Sequence, residues 1–198
     1  MREMIKMVVV LTALSSLSGA GLAYLKDWTE PKIEKQVLEL VKGPAVRLIL
    51  EGCSNDPIND RFKVTDGDKE SSIFVGIFDG KANTVVLETT GKGFADKFGF
   101  MAAYNIEDDS IVGVSVTTHK ETPGLGGNAK DDPAFAAQFK GLKATDENIR
   151  VTNDGGSINA LSGATITSRG VCAATNDINK KYLELKPQMI EKLKGFSN

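Results

Sequence analysis

Two short stretches carry the side chains best suited to chemistry. The first is Leu161–Gly170, LSGATITSRG, where Ser162, Thr165, Thr167 and Ser168 supply four closely spaced hydroxyls. Gly163 and Ala164 are small, which suits close approach of the backbone to a ligand. The periodicity that follows places a helix start at about Arg169, with Thr167 or Ser168 as its cap. Free amides at such a start favour an anion, and Arg169 adds a charge-assisted donor, so a phosphate beside Thr165 is one reading. The other is that Thr167 and Ser168 simply cap the helix, which leaves Ser162-Gly163-Ala164-Thr165 without an explanation.

The second stretch is Thr118–Gly127, THKETPGLGG. Pro123-Gly124 sets a tight turn, and Gly124, Gly126 and Gly127 permit positive φ and contact between a flat ligand and the main chain. A plain surface turn is the alternative. The glycine spacing is not a dinucleotide fingerprint, no helix opens directly there, and Lys130 is misplaced for a phosphate-binding loop. His119 could serve Ser162 or Thr165 as a hydrolase base, but no G-x-S-x-G elbow is present. More plainly, His119 ends a strand, facing solvent or capping the loop.

Composition limits the chemistry further. The 198 residues carry a net charge of −2, one histidine and two cysteines. A nucleic-acid surface needs a basic excess that is missing. Cys53 and Cys172, without a C-x-x-C pair, rule out a cysteine-ligated cluster or structural zinc within this chain, and no metal site is expected. Redox chemistry would therefore need a bound organic cofactor. The two cysteines could form a disulfide or remain buried thiols, since nothing in the sequence brings them together.

These stretches need elements to position them. Met7–Leu25 holds 19 residues without a charge, about 28 Å as a helix and close to the thickness of a bilayer core. It reads as a retained membrane anchor over residues 1–28, with a cleaved signal peptide as the alternative. Arg2 and Lys6 before it favour an inside N-terminus. Residues 29–60 read as a stalk helix and linker, capped at Thr29, with Pro31 in its first turn and Gly43 as its stop. Residues 61–198 read as one α+β domain. SSIFVGIFDG, NTVVLETTG, FGFMAAYNIEDDS and IVGVSVTTHKE are strand-like and joined by short turns, giving an antiparallel-rich sheet with flanking helices after one transmembrane helix. DDPAFAAQFKGL reads as a short helix capped at Asp132 and NIRVTNDGGS as one more strand. The C-terminal helix has Val171, Ala174, Ile178 and Leu185 as core contacts and breaks at Pro187.

SGATITS and ETPGLG, in this order and about 40 residues apart behind a single anchor, resemble the FMN-binding domain of the G subunit of Rnf-type electron-transport complexes. They are also similar to the related C subunit of the sodium-pumping NADH:quinone reductase. The resemblance implies FMN bound covalently by a phosphodiester to Thr165, with Ser162, Gly163 and Ala164 as recognition and approach residues. Thr167, Arg169 and the helix start would hold the phosphate. Glu121, Thr122, Gly124, Leu125 and Gly126 would lie against the flavin. It implies a flavin transferase for maturation, the other membrane subunits of the complex and membrane lipid as partners, and a role relaying electrons between ferredoxin and NAD. The expected location is the cytoplasmic membrane, single-pass, with the globular domain on the extracytoplasmic side. One departure is Asn159, where the transferase's pattern has an aspartate. A membrane-tethered binding or scaffold domain without a redox role is the competing function.

Overall fold

The computed structural model describes residues 1–67, 69–146 and 148–196. It contains two compact units, Met1–Leu40 and Val41–Asn198. In the first unit, helix α1 spans Arg2–Val37 and buries none of its residues. An apolar surface of that size, open on all sides, is intolerable in water. The helical stretch Arg2–Ile49 is the one among the described residues long and apolar enough to cross a bilayer.

No new helix begins at Thr29. Its hydroxyl donates back to the carbonyls of Leu25 and Lys26 at 2.8 and 3.1 Å, a bond made from inside a helix, and Pro31 also lies within α1. Gly43 is not a stop either. A π-helical turn at Leu38–Lys42 leads into α2, Gly43–Ile49, where Pro44 sits in the first turn and needs no amide partner.

The second unit is built on five antiparallel strands: β1 Arg61–Asp66, β2 Lys69–Phe78, β3 Lys81–Lys92, β4 Lys97–Asn105 and β5 Ile111–Val116. They pair in simple sequence order, β1-β2-β3-β4-β5. Between β2 and β3 the turn residues Asp79 and Gly80 both have positive φ, 52° and 74°, as a two-residue hairpin requires. Both faces of the sheet are covered. Val75, Val85, Leu87, Phe100, Ala102 and Tyr104 face the main core with α5, Thr165–Leu193. Phe74, Val86, Met101 and Ala103 are buried on the opposite face, where α2 packs on β4 and β5. Double coverage is why these strands read as near-continuous apolar runs rather than as alternating ones.

Strand β1 was not evident in the sequence. RFKVTD offers only Phe62 and Val64 as apolar positions, and it becomes a strand by pairing with β2 at the sheet edge. NIRVTNDGGS does not form the expected strand. Ile149 and Val151 are buried, but Val151 makes only an isolated bridge to Ile158, and a 3₁₀ turn follows at Thr152–Asp154. Two apolar pegs before a run of turn formers are too few for a ladder. Asp132 does cap a helix, accepting from the Ala134 amide at 2.9 Å at the start of α4, Pro133–Ala137. A further short helix, α3, occupies Asn128–Asp131. In α5, Val171, Ala174, Ile178 and Leu185 are all buried. Pro187 does not end this helix. Its ring is exposed, and Leu185, Met189 and Leu193 stay buried around it, so packing outweighs the lost backbone bond.

Candidate functional site

Three chain segments meet at one buried carboxylate. Glu121, 7% exposed, follows β5 on the Thr118–Gly127 loop. Its Oε1 accepts from the Ala95 amide at 2.9 Å, in the turn between β3 and β4. Its Oε2 accepts from the Thr167 hydroxyl at 2.6 Å, in the first turn of α5. The carboxylate is wedged between two glycines. A Cβ on Gly93 would fall 2.3 Å from Oε1, and one on Gly126 would fall 2.3 Å from Oε2. Side chains at either position would break the junction.

The head of α5 starts earlier than the sequence suggests. Thr165 is its first residue, Ala164 is the N-cap, and no side chain caps the helix. Thr167 and Ser168 are therefore inside the helix and buried. Ser168 Oγ accepts from the Leu161 amide at 2.9 Å and donates to the Ala164 carbonyl at 3.0 Å, holding the preceding turn from within. Gly163 takes φ +71° in that turn. Helical geometry leaves the amides of Thr165, Ile166 and Thr167 without intrahelical partners at the positive end of a 29-residue helix. Thr165 is half-buried there, while Ser162 and Gly163 are exposed.

The glycine loop reaches this head. The Leu125 side chain comes within 3.0 Å of where a Cβ on Gly163 would stand. Thr122, Gly124 and Leu125 are exposed, and Gly126 is buried. The residues expected at a binding site thus come together, and two of them also have partners within the protein. Thr167 spends its hydroxyl on Glu121. Arg169 is exposed and forms a two-bond pair with Asp154, Nε and Nη2 each 2.7 Å from a carboxylate oxygen. That hydrogen bonding holds the Asp154 carboxyl below the ordinary aspartate range.

The FMN-binding domain family matches residues 93–180, a span that opens at Gly93 and runs through the head of α5. Over 82% of this chain and 77% of the relative, the sequence is 32% identical to the G subunit of the ion-translocating oxidoreductase complex of Cereibacter sphaeroides. The chain belongs to this G-subunit family. The Methanosarcina acetivorans member is 28% identical over 87% of this chain and 91% of its own. Among solved structures, Shewanella oneidensis NqrC matches with a TM-score of 0.53 and 25% identity over 72% of each chain.

Other residues fall outside this junction. His119 packs against Gly127, its Cε1 lying 3.4 Å from where a Cβ would stand there. Among the described residues it makes no hydrogen bond to Ser162 or Thr165, and its Nδ1 is buried without a partner. Nothing supports the hydrolase arrangement. Cys53 and Cys172 are both free thiols, and burial pushes the Cys172 thiol up to about 11, leaving it unreactive at neutral pH. The sequence reading missed Gly93 and Ala95. The available signal was Gly91-Lys92-Gly93 at the end of a strand, which marks close backbone approach.

Proposed function

We propose that the second unit carries FMN at the head of α5, esterified through its phosphate to the Thr165 hydroxyl. In this reading it is the electron-transfer subunit of an ion-translocating ferredoxin/NAD oxidoreductase complex. The observation that carries the proposal is the placement of Thr165: first residue of a long helix with no side-chain cap, beside the exposed Ser162 and Gly163.

The residues present fit such a group. The amides of Thr165, Ile166 and Thr167 form an anion site by geometry and dipole, and the Ser162 hydroxyl is close by in sequence. Thr122, Gly124 and Leu125 are exposed and offer a partly apolar surface suited to a flat ring, while Gly126 is buried against Glu121. The hydroxyl of Thr167 contributes indirectly, through its bond to Glu121. Arg169, held by Asp154 through Nε and Nη2, adds positive charge near the phosphate. When bound, FMN supplies reversible one- and two-electron transfer. The protein's share is to hold it, orient it and keep it from dissociating.

Maturation would use a flavin transferase acting on FAD: the bond from Thr165 Oγ1 to phosphorus forms, the pyrophosphate bond breaks and AMP leaves. The transferase would read the exposed Asn159, whose backbone is clamped by the Gln138 side chain at 2.7 and 3.2 Å. Helix α1 would anchor the chain in lipid of the cytoplasmic membrane beside the other subunits of the complex. Arg2 and Lys6 favour an inside N-terminus, with the flavin domain on the extracytoplasmic side.

The deciding experiment produces the chain together with a flavin transferase. Intact mass should show one added FMN, mapped to the peptide containing Thr165, and the denatured band should fluoresce. Thr165→Ser should keep the label. A Thr165→Val variant that still carries it rejects this attachment site.

A further inference from the structure

The turn between β3 and β4 presents Phe94 at 73% exposure, the most exposed large apolar side chain among the described residues of the second unit. Surface turns that carry such a residue are ordinarily loose. This one is fastened from three directions. The Gly93 amide donates to the Asp96 carbonyl at 2.9 Å, the Ala95 amide donates to Glu121 at 2.9 Å, and Lys120 pairs with Asp96 at 2.6 Å. An aromatic ring held out into water on a fixed turn has the character of a binding anchor, preorganised before its partner arrives.

Its position ties it to the proposed cofactor site. Glu121 holds Ala95 through one oxygen and Thr167 through the other, so the Phe94 turn and the first turn of α5 share one carboxylate. Two more exposed apolar side chains stand on the joined segments, Leu125 at 45% and Ile166 at 51%. Around Phe94 the charge is positive. Lys92 and Lys97 are exposed and make no ion pair among the described residues, whereas the single acid on the turn, Asp96, is neutralised by Lys120.

We propose that the Phe94 turn is the contact through which an electron-transfer partner in the complex docks beside the cofactor, the partner offering an apolar socket with an acidic rim. The inference rests on the reading of Thr165 as the flavin attachment site. A face that holds a redox centre must meet a donor or acceptor, and lipid is neither. Glu121 is the positioning residue that keeps docking anchor and helix head in register.

The test uses the whole complex purified from its own membranes, with electron transfer from reduced ferredoxin to NAD as the readout. Phe94→Ala should lower the rate about tenfold, the effect of losing one interface anchor, with the covalent flavin on this chain unchanged by mass. Phe94→Leu should restore most of the rate. Lys92→Glu with Lys97→Glu should also slow transfer, and the slowing should diminish as salt is raised. An unchanged rate in Phe94→Ala overturns the proposal, as does loss of flavin in that variant, which would make Phe94 part of the cofactor site. A defect that appears in liposomes containing anionic lipid and vanishes in detergent would assign the turn to the membrane and overturn it equally. Absence of flavin from the unaltered chain would reject the Thr165 reading alone. Docking would then be scored by whether Phe94→Glu releases this subunit from the complex.

Discussion

The head and the tail half of α5 handle polar groups in opposite ways. At the head, amides lack a side-chain cap and small exposed residues precede the helix. Farther along, the buried tyrosine hydroxyls are paired, while Asn179 Nδ2 lacks a partner among the described residues. The Tyr182 hydroxyl donates to Asp109 at 2.6 Å, Lys186 joins the same carboxylate, and the Tyr182 ring stacks on Tyr104 with centroids 4.2 Å apart. The Tyr104 hydroxyl in turn donates to Asn179 at 2.6 Å. Burial pushes both phenols well above their ordinary range. Burial also pushes the Asp109 carboxyl up, but hydrogen bonds from Lys186 and Tyr182 outweigh it and hold the group below the usual value. The contrast teaches how one element can both grip and present. Satisfied polar bonds fix the helix where it only has to hold, which leaves the other end free to keep its donors open.

The largest effect should come from the open end. Thr165→Val should remove all covalent flavin, read by mass, while the thermal unfolding midpoint of the apoprotein stays close to that of the unaltered chain. A large drop in that midpoint would mean that the head also holds the fold together and would erase the contrast. Next comes the junction. Glu121→Ala leaves the Thr167 hydroxyl buried without its acceptor and should cost about 2–3 kcal/mol in chemical denaturation, with flavin loading reduced as well.

Tyr182→Phe at the closed end should cost about 1.5–3 kcal/mol, the range for a hydrogen bond to a charged group, and leave flavin loading untouched. The same end sets an acid dependence. Because Asp109 is depressed below its ordinary value of 3.8, its contribution is present above that pH and is lost as pH falls through the lower folded value. Asp108, held at about 2 by Ser110 and Lys143, adds to this slope. Denaturation curves taken from neutral pH downward should show the loss, and Tyr182→Phe should flatten it. The smallest change is expected for Arg169→Ala. Its guanidinium is exposed and already paired with Asp154, so attachment of flavin and the melting midpoint should both barely move. A strong loss of loading there would return Arg169 to the phosphate.

Much of the sheet was legible because its strands are rich in β-branched or aromatic residues and bounded by clear turns such as Asp79-Gly80. The edge strand β1 was not, since its pleat depends on the neighbour it pairs with. The site was legible as two motifs, and their meeting was not. Glu121 and Thr167 are 46 positions apart, and nothing local in either stretch predicts a bond between them. Thr167 and Ser168 looked like caps because hydroxyls before an apolar run usually are. The turn at Gly163 instead lets α5 begin at Thr165, which moves both residues indoors.

By itself, the sequence determined the apolar run of α1, the antiparallel strands, the buried face of α5 and the small-residue, hydroxyl-rich chemistry at its head. These follow from local composition and period, which act over a few residues. Only the tertiary structure decided that β1 joins the sheet, that Pro187 is carried through, that Asp154 claims Arg169 and that Glu121 binds three segments at once. Each of those outcomes depends on which distant groups share a low-dielectric space, where an unpaired polar atom is costly and the chain folds so that partners meet.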